Sequence, residues 1–382
     1  MTQGDITTRV LQVNVDDKNN GGVFSLIKNV YHHMPEDVVF DFWAVEPIRS
    51  DEFRSYVEQR GGAVYCLFKK NKYTRLVSNY RALKRHVESI DYDAVHVHSD
   101  KCAQLLIYAR AARNATGKVI IHSHQMGVDL PSHRKLFTFV QKASKLLITH
   151  TRIDCYAACS RNAAEWMYPK KILGDVRLIN NGIEVENFKF SPEDRARIRA
   201  KHGIGDEFLV GHVGRFTYAK NHDFVVSMFA QLKDAYPDAK FLLIGDGSPQ
   251  IRAHVERLVD EKGLTESVIY VRSTSEMSAY MSAMDAFVLP SIIEGYPVTM
   301  VEAQSNGLPC VISTCVPPEG KLIDAFWRLP IDAVGPWVAK VGALMAKGPV
   351  GERARSSCWK QVSDAGYGIE HTVGQLLELY RS

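Results

Sequence analysis

The sequence is poor in cysteine and lacks long apolar runs. Its seven cysteines are an odd number, and no two of them form a Cys-x-x-Cys pair. A disulfide framework is therefore not expected, and a reducing cytoplasm is the compartment that fits. No stretch approaches the ~18 apolar residues of a membrane-spanning helix, and the first eight residues contain no apolar signal core. We expect a cytoplasmic protein whose contact with a membrane, if any, is peripheral and at the inner face.

Two motifs of cofactor and metal sites are also missing. Gly21-Gly22 follow the first apolar run but do not form the Gly-x-Gly-x-x-Gly fingerprint of a dinucleotide site. An NAD-dependent oxidoreductase therefore loses its main support. The only Asp-x-Asp, Asp91-Tyr-Asp93, precedes a predicted strand instead of ending one, which gives no support to a metal site.

The length of 382 residues predicts two domains, and the mild positive charge is unevenly distributed. Apolar residues make up 46% and charged residues 24%, which is typical of a soluble globular protein. The net charge of +4 does not predict a nucleic-acid partner. Basic residues cluster in the first half, at 69–75, at 133–135, and at Lys142 and Lys145. They indicate either solvated helix faces or a surface that faces an anionic membrane or an anionic acceptor.

Short runs rich in Val, Ile and Phe alternate with amphipathic stretches of helical length. Strands are predicted at 9–15, 38–45, 63–68, 94–98, 118–124, 155–159, 208–213, 240–244, 267–271, 286–289 and 309–313. Helices are predicted at 23–34, 75–89, 102–114, 136–149, 223–236, 250–262, 275–284 and 299–306. Nearly apolar strands that alternate with helices form parallel sheets covered on both faces. The predicted fold is α/β, with two Rossmann-like doubly wound domains that face each other across a cleft.

The expected domain boundaries follow from where this alternation stops and restarts. We place an N-terminal, acceptor-side domain at 1–188 and a charged linker with Pro192 at 189–205. A C-terminal, donor-binding domain follows at 206–365. A last helix, at about 366–382, is expected to pack back on the N-terminal domain.

Polar residues in the first half cluster where predicted strands end. Gly21-Gly22 lie at a strand-to-helix turn, where glycines let the backbone approach a ligand and free helix N–H groups favour an anion. An ordinary turn explains them equally well. The strand ends His96-Val-His98 and His122-Ser-His124 place histidines on one strand face. Three interpretations stay open: a metal cluster, a polar lining of the cleft with His124 nearest the ligand, or structural histidines bonded to loops.

The second half carries cations at corresponding positions. Gly214 permits a tight exit from its strand, and Arg215 and Lys220 follow in one loop. Arg offers a rigid fork and Lys a mobile charge, a combination that suits a diphosphate better than a merely solvated loop. Gly245 and Arg272 end the next two strands and are further candidates for donor binding.

The most specific segment runs from Glu294 to Glu302 and continues to Asn306-Gly307. A strand ends before it, a loop that contains Gly295 follows, and Pro297 is expected as an early residue of the next helix. Loop amides and the helix start would face a phosphate, while the two carboxylates accept hydrogen bonds from sugar hydroxyls. The alternative is that Glu294 caps the helix and Glu302 is an exposed helical residue.

Together these residues resemble glycosyltransferase family 4, whose members are retaining enzymes with the GT-B fold of two Rossmann domains. The resemblance covers nearly the whole chain. It rests on Gly21-Gly22, His124, Arg215, Lys220, the Glu-x7-Glu pair of Glu294 and Glu302, and the segment Asn180-Asn181-Gly182-Ile183 with Phe188. His122-Ser-His124 and Cys159-Ser160-Arg-Asn-Ala-Ala-Glu165-Trp look closest to bacterial exopolysaccharide and capsule transferases.

The resemblance implies roles for these residues. Arg215 and Lys220 would neutralise the leaving nucleoside diphosphate, and they would replace a metal ion, because family members work without one. Glu294 would bind the hydroxyls of the donor sugar and Glu302 those of the ribose. The backbone from Gly295 through Tyr296 and Pro297 to Val298 would support the phosphate and sugar. His124 would contact the sugar near the reacting carbon.

The expected activity is transfer of a hexose or N-acetylhexosamine, from a UDP-sugar on family grounds, to a glycan or lipid-linked acceptor. The sequence offers no obvious nucleophile on the opposite face of the sugar, which favours a same-face, retaining displacement. Two other functions remain open: a UDP-sugar epimerase on a similar scaffold, and a nucleotide-sugar binder without catalysis.

Overall fold

The computed structural model describes residues 8–16, 21–66, 72–127 and 134–382. The chain divides into two units, an N-terminal domain of Met1–Gly182 with Ile369–Ser382, and a C-terminal domain of Ile183–Gly368. The basic groups at 69–75 and 133–135 lie outside the residues whose side chains are described.

The described strands form one parallel sheet in each domain. The strands are β1 (Thr8–Val13), β2 (Val38–Ala44), β3 (Val64–Cys66), β4 (Ala94–Ser99), β5 (Lys118–Ser123), β6 (Cys155–Ala158), β7 (Arg177–Leu178), β8 (Leu209–Val213), β9 (Lys240–Ile244), β10 (Val268–Val271), β11 (Ala286–Leu289), β12 (Cys310–Ser313) and β13 (Phe326–Leu329). The N-terminal sheet has the order β3-β2-β1-β4-β5-β6-β7, and the C-terminal sheet has the order β10-β9-β8-β11-β12-β13. Both contain the order 3-2-1-4-5-6 of a Rossmann sheet.

Helices connect the strands and cover the sheets. They are α1 (Gly21–His33), α2 (Asp51–Gln59), α3 (Lys72–Val87), α4 (Cys102–Ala112), α5 (Arg134–Leu147), α6 (Arg161–Met167), α7 (Pro192–Lys201), α8 (His222–Ala235), α9 (Pro249–Glu261), α10 (Met277–Ala283), α11 (Val298–Ser305), α12 (Gly335–Lys347), α13 (Glu352–Arg355), α14 (Cys358–Val362) and α15 (Ile369–Arg381). Among the described residues, no helix is both long and apolar enough to cross a bilayer.

The last helix of the chain completes the core of the first domain. In α15, Ile369, Val373, Leu376 and Leu379 are buried in one cluster with residues of β1, β2 and α1. These positions recur at helical spacing, so one face of α15 is apolar and lies on the N-terminal sheet. The C-terminal domain has its own core, in which Phe229 and Phe241 stack at 4.1 Å.

The predicted alternation of strands and helices is confirmed, and with it the α/β class with two Rossmann-like domains. Most bounds agree within two or three residues. The segment predicted as a linker, 189–205, instead contains α7, which belongs to the C-terminal domain. Two of its three arginines point inward, because Arg195 and Arg199 pair with the buried carboxylate of Asp285 at 2.6 and 3.2 Å.

Candidate active site

The loops after β8 and β11 lie side by side at the carboxyl edge of the C-terminal sheet. β8 and β11 are neighbours although two strands separate them in sequence, so the strand order reverses between them. In open parallel sheets, ligands bind outside the strand ends at such a reversal. Two hydrogen bonds join the loops: Ile292 N donates to Ala219 O (2.8 Å), and Asn221 Nδ2 donates to Pro290 O (3.1 Å).

Lys220 reaches from the first of these loops to the second. Its aliphatic stem passes over Gly214, where an added Cβ would lie 2.9 Å from Lys220 Cδ. The ammonium donates to Glu294 Oε1 at 2.5 Å, and the two side chains keep only 17% and 11% of their exposure. This charge-assisted bond holds both groups at the strand ends.

Arg215 and Arg272 differ from Lys220 because both are exposed. Neither side chain makes a hydrogen bond or ion pair with another described residue. Lys220 is already neutralised by Glu294, whereas Arg215, which follows β8 in the same loop as Lys220, carries an uncompensated positive charge. A guanidinium offers parallel N–H donors that match phosphate oxygens.

Glycines bring the loops after β8 and β9 into direct backbone contact. Gly214 N donates to Ile244 O, and Phe216 N donates to Asp246 O, both at 2.9 Å. A Cβ on Gly245 would lie 2.1 Å from Gly214 O, a distance that no side chain tolerates. Gly245 therefore fixes the position of the Arg215 loop through close packing, which is a structural role at the site.

The start of α11 and Glu302 lie after β11. The helix begins at Val298 and Pro297 is the residue just before it, so the prediction that Pro297 lies inside the helix is wrong by one residue. No side chain caps this end, which leaves N–H groups for an anion. Glu302, the fifth residue of α11, is partly exposed and has no described partner. Burial raises the pKa of its carboxyl to about 7.

The ring of Tyr296 packs inside the C-terminal domain. It is 4% exposed and stacks on Tyr367 with centroids 5.0 Å apart and planes at 11°. Its hydroxyl donates to Glu319 O at 3.3 Å. The side chain thus anchors the loop inside the domain, which leaves it no role in the predicted contact with a donor.

In the N-terminal domain, His124 follows β5 and is 8% exposed. Its Nε2 lies 2.9 Å from His98 Nδ1. Burial lowers the pKa of the His96 and His124 imidazoles to about 3, and it holds the pKa of His98 and His122 well below the ordinary value. All four rings are therefore neutral at physiological pH.

The same histidines contain the metal-ligand cluster that the sequence left open. Ligand nitrogens of His96, His98 and His122 lie within 4.8 Å of one another. Each ring, however, already contacts another side chain through at least one nitrogen at 3.2 Å or less. The geometry therefore fits a hydrogen-bonded network at least as well as it fits a metal.

The predicted site residues are divided between the domains. Gly21 and Gly22 open α1 in the N-terminal domain, which also contains His124, while the preceding residues 17–20 lie outside the described part of the chain. All other predicted site residues belong to the C-terminal domain, where the Lys220–Glu294 pair unites the two predicted motifs.

Two protein-family models match the chain. The model described as glycosyl transferases group 1 matches residues 194–326. The model described as Glycosyltransferase Family 4 matches residues 20–187. The glycosyltransferase EpsF of Bacillus subtilis is 29% identical, with 97% of this chain and 96% of the relative aligned. The chain is a glycosyltransferase.

The chain is also similar to a second named relative and to a solved structure. The Escherichia coli UDP-Gal:alpha-D-GlcNAc-diphosphoundecaprenol alpha-1,3-galactosyltransferase is 28% identical over 62% of this chain and 61% of its own length. The structure of HepE from Anabaena in complex with UDP superposes with a TM-score of 0.75 at 17% identity, covering 97% of this chain and 99% of HepE. The GT-B fold and the resemblance to family 4 are thereby confirmed.

Reading the glycosyltransferase sequence alone missed two polar residues at the C-terminal site. Asn221 adopts a left-handed conformation with φ 56° and binds the neighbouring loop; an Asn between a strand end and a helix is the signal that marks it. Thr299, the second residue of α11, has a buried Oγ1 with no hydrogen-bond partner among the described residues. Only its atomic surroundings distinguish it, so the sequence held no signal for Thr299.

Proposed function

We propose that this glycosyltransferase moves a hexose or N-acetylhexosamine from a UDP-sugar to a glycan or lipid-linked acceptor in surface polysaccharide synthesis, with retention of configuration. The observation that carries the proposal is the Lys220–Glu294 pair at the reversal of strand order, beside the exposed Arg215. The names of two similar proteins support UDP and a lipid-linked acceptor: one is a UDP-Gal-dependent transferase to GlcNAc-diphosphoundecaprenol, and HepE was solved with UDP-glucose.

In this proposal, Arg215 and Lys220 stabilise the departing diphosphate. Negative charge grows on the leaving group as the glycosidic bond breaks, and preoriented cations stabilise that charge more in the transition state than in the ground state. Because Arg215 and Lys220 supply the positive charge, no metal ion is required, and turnover is expected to persist in EDTA.

The carboxylates divide the donor between them. Glu294, oriented by Lys220, accepts hydrogen bonds from the donor sugar, and Glu302 binds the ribose hydroxyls. Amides at the start of α11 contact the phosphates, which fits the uncapped helix end. Neither carboxylate is assigned as a nucleophile, so the acceptor attacks on the same face of the sugar that the diphosphate leaves.

The first experiment is a donor screen by thermal shift with UDP-, GDP- and ADP-sugars. A ligand that binds the native state raises its melting midpoint, and we expect the largest rise with a UDP-sugar. Equal, negligible shifts with all three classes would contradict the proposal. The matched control is Arg215→Ala, in which the shift should shrink because a phosphate contact is lost.

An epimerase remains the rival activity, and the screen leads directly to its test. The protein is incubated with the best UDP-sugar and no acceptor. A transferase leaves the sugar unchanged or releases UDP by slow hydrolysis, whereas an epimerase produces a different sugar that is still linked to UDP. Accumulation of an epimer would overturn the transferase proposal.

We further propose that α5 contacts an anionic membrane surface. Phe139, Val140, Leu146 and Leu147 are 69%, 39%, 71% and 44% exposed. At 100° per residue these four side chains fall within one stripe of about 120°, and exposed Lys142 borders it. An exposed apolar stripe edged by lysine is typical of a helix that lies in a lipid interface.

Vesicle flotation tests this surface. Phe139→Ser with Leu146→Ser should abolish binding to vesicles that contain phosphatidylglycerol, and Lys142→Glu should weaken it. Val77→Ser is the matched control, because Val77 is 52% exposed on α3, outside the stripe. Wild-type protein that ignores anionic vesicles at low and high salt would contradict the proposal.

A further inference from the structure

A network of hydrogen-bonded polar side chains lies in the apolar face between the N-terminal sheet and α15. Gln12 lies beside His96 in the sheet, and His98 lies beside His122. These four residues are at most 1% exposed, and their strand neighbours on the same face are core residues such as Val10. Buried polar groups are retained in such a place only when they are hydrogen-bonded.

The amide of Gln12 sets the direction of the hydrogen bonds. Gln12 Oε1 accepts only, so His98 Nε2, at 2.8 Å, carries the proton that it receives. The neutral His98 ring then has a lone pair on Nδ1, which accepts from His124 Nε2–H at 2.9 Å. His124 is thereby fixed as the Nε2–H tautomer, and its Nδ1 is left as an acceptor.

The hydrogen-bond directions at the other end of the network also follow from Gln12. Gln12 Nε2 donates to the Tyr380 hydroxyl at 3.1 Å. Among the described residues, His96 Nδ1, at 2.8 Å, is the one remaining partner of that buried hydroxyl, which therefore donates its proton to His96. His96 Nε2–H then donates to His122 Nδ1 at 3.2 Å. His122 Nε2 is buried without a partner among the described residues. All four rings are therefore Nε2–H tautomers.

We propose that Gln12, His98 and Tyr380 are positioning residues, which hold His124 as the Nε2–H tautomer with Nδ1 as its acceptor atom for a ligand hydroxyl. The inference rests on the proposed function, in which His124 contacts the donor sugar. The anchor lies in α15, 368 residues along the chain from Gln12. The geometry explains why the last helix ends with a hydroxyl inside an otherwise apolar contact.

The tautomers also distinguish this hydrogen-bonded network from a metal site. A metal ion binds the lone pair of a neutral imidazole. The lone pairs of His96, His98 and His122 already accept hydrogen bonds from Tyr380, His124 and His96, respectively. A metal could enter only by breaking these three hydrogen bonds.

Long-range ¹H–¹⁵N spectra of the full-length protein, labelled in histidine, test the proposal without any ligand. We expect the four rings to show neutral Nε2–H patterns that do not titrate between pH 5.5 and 8, where an ordinary histidine with a pKa of about 6.5 changes charge. The signal of His124 is identified by its loss in His124→Gln. Nδ1–H tautomers, or titration in this range, would overturn the proposal.

Tyr380→Phe tests whether the tautomer of His124 depends on the far end of the network. Loss of the hydroxyl removes both the acceptor for Gln12 and the donor to His96, so we expect a second, Nδ1–H set of signals for His98 and His124. Tyr168→Phe is the matched control, because the Tyr168 hydroxyl is also buried but donates to Ile121 O and Ala157 O, which are not part of the network. Unchanged tautomers in Tyr380→Phe would overturn the proposal.

Turnover provides the second readout. With the UDP-sugar selected by thermal shift, Tyr380→Phe should lower kcat about tenfold and leave the Kd for UDP unchanged, whereas Tyr168→Phe should change neither. An unchanged kcat with altered tautomers would remove the functional role. If the wild-type protein turns over no UDP-sugar, the proposed function fails. The tautomer pattern still decides whether the hydrogen-bonded network is present.

Discussion

Glu294 and Glu302 have the same carboxyl group in opposite surroundings. Glu294 is neutralised by Lys220 at 2.5 Å. Glu302 has no described hydrogen-bond partner, and burial raises its pKa to about 7. Near neutral pH, Glu302 is therefore partly protonated, and a carboxylic acid both donates and accepts hydrogen bonds. That combination suits the paired hydroxyls of a ribose.

The raised pKa of Glu302 predicts a dependence of stability on pH. Between about pH 4.3, the ordinary pKa, and pH 7, the native state keeps a proton that the unfolded state releases, so this group's contribution to stability falls as pH rises. Glu302→Gln removes the titration. The melting midpoint of the variant relative to wild type should therefore rise by about 5 °C from pH 5 to pH 8. A difference that is constant with pH in differential scanning calorimetry would contradict this.

At the scale of elements, α7 shows how a charged segment becomes part of a core. Ser191 caps the helix by accepting from Asp194 N at 3.1 Å. Asp285 accepts from Arg195, Arg199 and Leu209 N at 2.6, 3.2 and 2.8 Å. The carboxylate thus ties α7 to the start of β8, the strand that carries the Lys220 loop.

Removing this carboxylate should loosen β8. Asp285→Asn leaves two arginines without their counter-charge, and breaking a buried ion pair in this way costs about 3 kcal/mol. Hydrogen exchange in β8 should accelerate about a hundredfold if the strand exchanges by global opening of its domain. Glu276→Gln is the control, because its pair with Arg197 is 40% and 49% exposed and exposed ion pairs contribute little to stability. Equal exchange rates in the two variants would contradict the role of Asp285.

Sequence patterns predicted the elements that are apolar and locally signalled. β8 and β11 are fully buried, and their glycine-containing exits placed Lys220 and Glu294 at strand ends. β13 was missed because its pattern is half exposed. α7 was read as a linker because charge usually marks a solvated segment, and Asp285, which neutralises it, lies far along the chain.

The candidate site was predictable to the level of motifs, and its contacts were not. Periodicity places Glu294 after a strand but does not show which cation it binds, because the Lys220–Glu294 contact spans 74 residues. The hydrogen-bonded network from Gln12 to Tyr380 could not be predicted for the same reason. A lone Gln in a strand and a Tyr near the chain end carry no local signal.

At the scale of the molecule, the two domains share a strand order and differ in what they place at its reversal. The C-terminal domain places cations and carboxylates there, and the N-terminal domain places neutral histidines. The carboxyl end of the C-terminal sheet is therefore charged, whereas the histidines at the carboxyl end of the N-terminal sheet are neutral.

The most direct test of the account is turnover of the selected UDP-sugar by Arg215→Ala and Lys220→Ala. Each variant should lose about a hundredfold or more in kcat, because each removes a preoriented donor to the leaving diphosphate. Circular dichroism should remain that of the wild type, and the control Lys262→Ala, exposed on the same domain, should keep full activity. Near-normal turnover in both variants would contradict the assignment of the donor site.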